Sequence, residues 1–325
     1  MSRGLRTAKT VFVGLDNGGK TSIVRLLEKN LALYDPLKPT TQANRSSQKI
    51  SLLGLDLKHW DLGGQEKYRD VYFKDKEKYF SDIALLIYVI DIRDTKRFND
   101  ALAYLKRILQ ILNDFKNNLN ENEVEPKIFV LFHKFDPVMR KKKELEKKIE
   151  EYKQKIIDFN LFDDIYFFKT SIYDSISILR AFSEGALLLS DKAQVIQDLL
   201  KRYCQTTFSS AAVLFDTHCL IVDGRSTKDI YVGILETIAP ILSTSIERLE
   251  DYAINTIDIV SNINFFGSEE QDENNKAIIF LQKLEIENIR LYLLTLSRNP
   301  KTRKLSYDYL DILAEKLKNL IKSLQ

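Results

Sequence analysis

Gly14-Leu15-Asp16-Asn17-Gly18-Gly19-Lys20-Thr21 reads GxxxxGK[ST], with the apolar run Thr10-Val11-Phe12-Val13 before it and the helical run Ser22 to Glu28 after it. Strand, glycine-rich turn and helix in that order are what a phosphate-binding loop requires. Glycines let successive backbone N–H groups turn inward around a phosphate, and the helix that follows points the positive end of its dipole at the same place. Lys20 adds a mobile cation, and the Thr21 hydroxyl is a candidate ligand for Mg²⁺. Asp16, Asn17, Gly18, Gly19, Lys20, Thr21 and Ser22 are therefore the candidate phosphate-binding residues. The competing reading is a flexible glycine-rich turn that fits by chance, and the flanking strand and helix weigh against it.

Beyond the first helix, Tyr34 to Thr41 is a polar loop punctuated by Pro36 and Pro39. Lys49 to Leu57 alternates as a strand, turns near Gly54, and returns through Trp60 as an antiparallel hairpin. It ends on Asp61-Leu62-Gly63-Gly64-Gln65. An Asp at a strand end beside a phosphate loop supports Mg²⁺ through water, the Gly64 backbone is placed for a γ-phosphate, and Gln65 is placed to orient an attacking water. Ile83 to Asp91 is almost unbroken apolar sequence, the mark of a strand buried on both faces of a parallel sheet. Leu105, Ile108, Leu109, Leu112 and Phe115 form the stripe of an amphipathic helix. Strands follow at Lys127 to Phe132 and Ile165 to Phe168, and a helix from about Ser175 to Leu189 completes the β–α alternation. That alternation predicts a doubly wound, mostly parallel sheet with its ligand at the carboxyl ends of the strands.

Past residue 190 the rhythm changes. A helix, two strands joined at Asp216-Thr217-His218, a helix from Thr227 to Tyr252, three strands and a closing helix give the order α-β-β-α-β-β-β-α. Hairpins in place of crossovers predict a five-stranded antiparallel sheet covered by helices. Pro240 is expected to kink or divide the long helix, Ile257, Ile259, Ile263 and Phe265 to share one strand face, and Ser306 to cap the closing helix carrying Leu310, Leu313, Leu317, Leu320 and Leu324. The expected division is 1–190 and 191–325.

Charge argues against a nucleic-acid partner, because Lys plus Arg number 49 and Asp plus Glu 46, a net +3. The basic run Arg140 to Lys155 is interleaved with Glu144, Glu146, Glu150 and Glu151, which suits a solvated helix with i,i+4 pairs. Cys204 and Cys219 lie in different elements without a CxxC, so buried thiols in a reducing compartment are expected. No run of 18 apolar residues occurs, Ser2 stands where myristoylation needs glycine, and the chain ends Ser323-Leu324-Gln325 without a prenylatable cysteine. A cytoplasmic protein that meets membranes only through partners is expected.

The base is read from His133-Lys134-Phe135-Asp136. An Asp in a base pocket accepts from the N1–H and 2-amino donors of guanine, which adenine lacks in that arrangement, while the Lys134 stem lies over the base plane. One strand later, Thr170-Ser171-Ile172 would bring a backbone N–H to the guanine O6. His133, Lys134, Asp136, Ser171 and Ile172 are the candidate guanine-binding residues.

At this point the chain resembles the Ras-like small GTPases. The phosphate loop and Trp60-Asp61-Leu62-Gly63-Gly64-Gln65 are similar to the Arf branch. The His-Lys-x-Asp at 133–136, where the usual motif begins with Asn, and Lys169-Thr170-Ser171 resemble the Rag/Gtr GTPases. Those proteins also carry a C-terminal roadblock-type domain of the element order read above, so the resemblance spans the full length. It implies a Ras-like P-loop GTPase domain followed by an α+β roadblock/longin-like domain, GTP or GDP with Mg²⁺ as ligands, and Gln65 as the catalytic residue. The metal would be held by Thr21, by Asp61 through water, and by a switch threonine, for which Thr40 is favoured and Thr41 is the alternative. Asp16 stands where many relatives have glycine, which implies slow intrinsic turnover and a GTPase-activating protein. The resemblance further implies a homodimer, or a heterodimer with a paralogous GTPase, docking on roadblock or longin-type scaffold proteins, with recruitment to a membrane by such partners. Competing classes are a constitutively GTP-bound scaffold and an Arf-like trafficking GTPase.

Overall fold

The computed structural model describes residues 6–28, 44–45, 50–52, 55–117, 125–190, 192–254, 258–264, 276–286, 289–299 and 301–322. The chain divides into two compact units, one built from 6–51 and 55–189 and the other mainly from 190–325.

The first unit is ordered β1 (Arg6–Val13), α1 (Lys20–Leu27), β2 (Asn44–Arg45), β3 (Ile50–Leu52), β4 (Leu55–Asp61), α2 (Glu66–Lys74), α3 (Lys76–Phe80), β5 (Ile83–Asp91), α4 (Phe98–Lys116), β6 (Lys127–His133), α5 (Lys143–Ile157), β7 (Ile165–Thr170) and α6 (Ser175–Leu188). Strands β4, β1, β5, β6 and β7 pair in that order, all parallel. The covered strands explain the long apolar run at β5. Leu86, Tyr88 and Ile90 face a core with Leu105, Ile108 and Leu109 of α4. On the opposite face Phe12 stacks on Phe182 of α6, and Gly185 of α6 lies against Leu85 and Phe129. The lysine-rich segment forms α5, which buries Leu145, Ile149 and Ile156 and pairs Lys148 with Glu144 at 3.1 Å on its wet side. The expected hairpin is present as β3 paired with β4, while its turn lies outside the described residues. Sequence reasoning missed β2, which pairs antiparallel with Asp61 and Trp60 of β4.

The second unit is ordered α7 (Ala193–Thr207), β8 (Ala211–Asp216), β9 (Ile221–Ser226), α8 (Asp229–Asp251), β10 (Asp258–Asn264), β11 (Lys276–Ile286), β12 (Ile289–Ser297) and α9 (Thr302–Lys322). Its sheet runs β10-β11-β12-β8-β9, antiparallel at every pairing. Helix α8 covers one face through Tyr231, Leu235, Ala239 and Ile246, and Tyr203 of α7 meets Thr295 and Ser306 on the other. This is the α+β architecture expected, consistent with a roadblock/longin-like domain.

Of the kink or division expected at Pro240, division is excluded, and the expected Ser306 cap is corrected. Pro240 does not divide α8, which runs through it as one helix. The ~3 kcal/mol that an interior proline costs a helix is offset by the burial of Leu235, Ala239 and Ile246 along the same face. Nor does Ser306 cap the closing helix, since α9 starts at Thr302 and Ser306 lies one turn inside, fully buried. Its hydroxyl donates to Gln282 Oε1 at 2.5 Å and meets the Tyr203 hydroxyl at 2.6 Å, satisfying groups that burial would otherwise penalise. Ile259 and Ile263 pack on the core as expected, and Leu313 and Leu317 are buried in α9. Ile257, Phe265 and Leu324 lie outside the described residues.

Candidate functional site

Every described candidate residue sits at the carboxyl edge of the parallel sheet, where β1, β4, β5, β6 and β7 end. The loop after β1 is shaped by its glycines. Gly19 has φ +96°, and a Cβ there would lie 2.6 Å from the His133 ring, so the start of α1 fits against the end of β6 only without a side chain. Gly64, after β4, presses on the phosphate loop from another side, where a Cβ would meet the Asp16 backbone N at 2.2 Å. The DxxG segment and the phosphate loop are therefore in backbone contact.

Lys20 is buried, and its ammonium donates to the carbonyls of Gly14 at 3.1 Å and Leu15 at 2.8 Å. Burial pushes its pKa down to about 8, with Asp61 and Asp16 acting in the opposite sense. A cation held among backbone carbonyls at the head of a helix is ready for phosphate oxygens. The Thr21 hydroxyl donates to Asp61 Oδ2 at 2.5 Å, which joins α1 to the end of β4. A hydroxyl and a carboxylate side by side at the phosphate loop are the hard oxygen donors that Mg²⁺ selects, with waters and phosphates completing its shell. Among the described residues no cluster of three or more His, Cys, Asp or Glu could hold a metal. Thr40 and Thr41 lie outside the described residues. Gln65 sits at the N-cap position of α2, its carbonyl accepting from Tyr68 and Arg69, at the surface of this edge. Ser22 is in the first turn of α1.

The candidate base-reading residues converge from β6 and β7. His133 is buried, its Nδ1 is 3.0 Å from Thr170 Oγ1, and burial followed by the nearby Lys134 charge pushes its pKa down to about 4. It is therefore neutral at physiological pH. Lys134 adopts φ +64°. Its ammonium donates to Asn17 O at 2.5 Å and Asp91 Oδ2 at 2.6 Å, so the cation of the base motif holds the phosphate loop. Asp136 Oδ1 accepts from the Ser171 hydroxyl at 2.6 Å, and Arg93 lies 3.8 Å from Oδ2. Ser171 is fixed in turn, its N–H donating to Ser177 Oγ at 3.1 Å and its Oγ accepting from the Tyr173 N–H at 3.1 Å. Ile172 follows it at partial burial. The carboxylate expected to meet guanine is thus aimed by a neighbouring strand.

The low pKa of His133 has a measurable consequence. An unfolded histidine takes up its proton near pH 6.5, whereas His133 in the fold resists it to about pH 4. Stability is therefore complete above pH 6.5 and is lost as pH falls towards 4, by up to ~3 kcal/mol from this group. His133→Asn is expected to flatten that part of the acid limb, measured as the difference between wild-type and variant chemical denaturation from pH 7 to pH 4.5.

Sequence reasoning missed Asp91, Asp94 and Arg97. Asp91 ends β5, and Asp94 immediately precedes the 3₁₀ turn Thr95–Arg97 that links β5 to α4; a charged strand end was the only local signal. A protein-family model described as the Gtr1/RagA G protein conserved region matches residues 9–242, reaching from β1 into α8. Ras-related GTP-binding protein A of Dictyostelium discoideum is 27% identical over 225 residues, 69% of this chain and 71% of that protein. GTP-binding protein GTR1 of Saccharomyces cerevisiae is 26% identical over 218 residues, covering 66% and 67% respectively. GTP-binding protein GTR2 of the same yeast is 25% identical over 248 residues, covering 75% and 69%. Among solved structures, that of the Arl6 BBS3 small GTPase from Trypanosoma brucei with bound nucleotide analogue GppNp superposes with a TM-score of 0.42 at 18% identity, covering 55% of this chain and 95% of that one.

Proposed function

The chain belongs to the Gtr1/RagA G-protein family, and from that premise we propose that it is a GTP-binding regulatory switch that hydrolyses GTP to GDP and phosphate. The observation that carries the reading is the convergence of Lys20, Thr21, Asp61, Asp136 and Ser171 on one sheet edge, through the contacts Thr21–Asp61 at 2.5 Å and Ser171–Asp136 at 2.6 Å. The backbone of Asp16 to Ser22 receives the phosphates, Lys20 neutralises their charge, and Gly64 offers its N–H to the γ-phosphate. Asp136 reads the guanine N1–H and 2-amino donors, with Ser171 orienting the carboxylate and the Lys134 stem beside the base. Mg²⁺ would be held by Thr21 and by Asp61 through water, and when bound it supplies charge neutralisation between the phosphates. Gln65, at the head of α2, orients the attacking water.

Switching follows from the contact between Gly64 and the phosphate loop. A γ-phosphate entering there must move one backbone relative to the other, and a partner reads the displaced α2. The second unit is the dimerisation module, pairing with another copy or with a paralogous GTPase, and it docks on roadblock or longin-type scaffolds. Helix α8 supports this, because one face covers the sheet while Ile230 and Ile241 stay exposed on the other. By length and composition the same helix would also span a membrane, but its buried face is occupied by the sheet. We place the protein in the cytoplasm, brought to membranes by its partners, with a GTPase-activating protein raising a slow basal rate.

Single-turnover hydrolysis tests the enzymatic reading. Wild-type protein loaded with GTP in Mg²⁺ is expected to release phosphate slowly, and Gln65→Leu to do so at least ~10-fold more slowly, about 1.4 kcal/mol of barrier. Equal rates in the two proteins would remove Gln65 from the reaction.

A further inference from the structure

The phosphate loop carries an acid where a polyphosphate site disfavours one. Asp16 lies between Leu15 and Asn17, two residues before Gly18, and its charge acts on the buried Lys20. A carboxylate free to turn inward would pair with that lysine and repel a bound phosphate. Instead Asp16 Oδ1 accepts from Arg97 Nη1 at 2.5 Å, and Nη2 of the same guanidinium lies 3.4 Å from Asp16 O. Arg97 is itself anchored, since its Nε donates to Asp94 Oδ2 at 2.5 Å. The 3₁₀ turn that presents it is closed by Arg97 N to Asp94 O and Asp94 N to Asp91 O, both at 3.2 Å. Asp91 in turn accepts the Lys134 ammonium that also holds Asn17 O. Two adjacent phosphate-loop residues are thus tied to one turn, Asp91 to Arg97, by two cations.

We propose that Arg97 is a positioning residue that holds the Asp16 carboxylate away from the phosphate cradle and thereby sets the preference for GTP over GDP. The planar guanidinium fork suits this, because it spans two carboxylates and a carbonyl at fixed angles, which a lysine could not do. The contribution is one of direction more than of stability. The Asp16 and Arg97 side chains are 37% and 36% exposed, so the pair adds little to folding. Without Arg97 the carboxylate is free to turn towards Lys20, on which its charge already acts, and the additional charge of a γ-phosphate makes the triphosphate suffer more than the diphosphate. The proposal rests on the reading of residues 14–21 as the phosphate cradle.

The test is a titration of nucleotide-free wild-type, Arg97→Ala and Arg97→Ala/Asp16→Asn proteins with GDP and a non-hydrolysable GTP analogue in Mg²⁺. Arg97→Ala is expected to lose ~10-fold or more in triphosphate affinity relative to diphosphate, and the second substitution to restore the wild-type ratio within about threefold, since it removes the charge that Arg97 restrains. Asp94→Asn, which loosens the guanidinium without removing it, is expected to shift the ratio the same way by a smaller factor. An unchanged ratio in Arg97→Ala and Asp94→Asn, or a loss that Asp16→Asn does not repair, overturns the proposal. Failure of the wild type to bind either nucleotide would instead overturn the cradle on which it rests.

Discussion

Asp136→Ala is expected to weaken binding of both GTP and GDP by ~100-fold or more while leaving the weak binding of ATP unchanged. The carboxylate accepts the Ser171 hydroxyl at 2.6 Å and has Arg93 3.8 Å from its other oxygen, and the ~four acceptor sites of a carboxylate leave room for two donors from the base. Two hydrogen bonds from guanine to an ionised acceptor contribute ~3–6 kcal/mol together, each in the range usual for charged partners, and that range spans ~10²–10⁴ in affinity. Removing the carboxylate also strips Ser171 of its acceptor. Adenine nucleotides gain nothing from Asp136, so their affinity is the internal control. Calorimetric titration with the three nucleotides checks this, and an equal loss for ATP would mean that Asp136 supports the fold of the site without reading the base.

Lys20→Met is expected to abolish tight nucleotide binding and yet to stabilise the nucleotide-free protein. Burial holds the Lys20 pKa at about 8, against 10.5 for an exposed lysine. At pH 7 the ammonium is charged in both folded and unfolded chains, so the folded state carries a desolvation penalty of up to ~3 kcal/mol. Between pH 8 and 10.5 the folded chain gives up the proton before the unfolded chain does, and stability rises with pH. Methionine fills the same space without the charge, so the variant should gain stability at pH 7 and lose the alkaline rise. Bound phosphates compensate the same penalty in the wild type, which makes nucleotide the condition under which Lys20 favours the fold. Thermal unfolding of both proteins with and without GDP measures this; a variant less stable than nucleotide-free wild type would show that the carbonyl contacts of Lys20 outweigh its desolvation.

The elements that sequence made legible are those whose signals are local. GxxxxGK[ST] between a strand and a helix needs only contiguous residues, as do the doubly buried run of β5 and the stripe of α4. The alternation of β and α, and its replacement by hairpins after residue 190, follow from the same local patterns. What escaped depends on partners distant in sequence. Arg97 meets Asp16 across 81 residues, and Asp91 meets Lys134 across 43, so neither pairing leaves a spacing to read. Ser306 resembles a cap because Ser favours caps, but its hydroxyl is claimed by Gln282 of β11 and Tyr203 of α7. Asn44 and Arg45 gave no strand signal, and their pairing is imposed by the exposed edge of β4. Local propensity yields to tertiary context at these positions.

Whether the sheet edge bearing Lys20, Asp61 and Asp136 is a guanine-nucleotide site is decided by titrating nucleotide-free protein with GTP, GDP and ATP in Mg²⁺. Tight binding of GTP and GDP is expected, with ATP at least ~100-fold weaker. Equal affinity for ATP, or no binding of any of the three, would contradict that assignment.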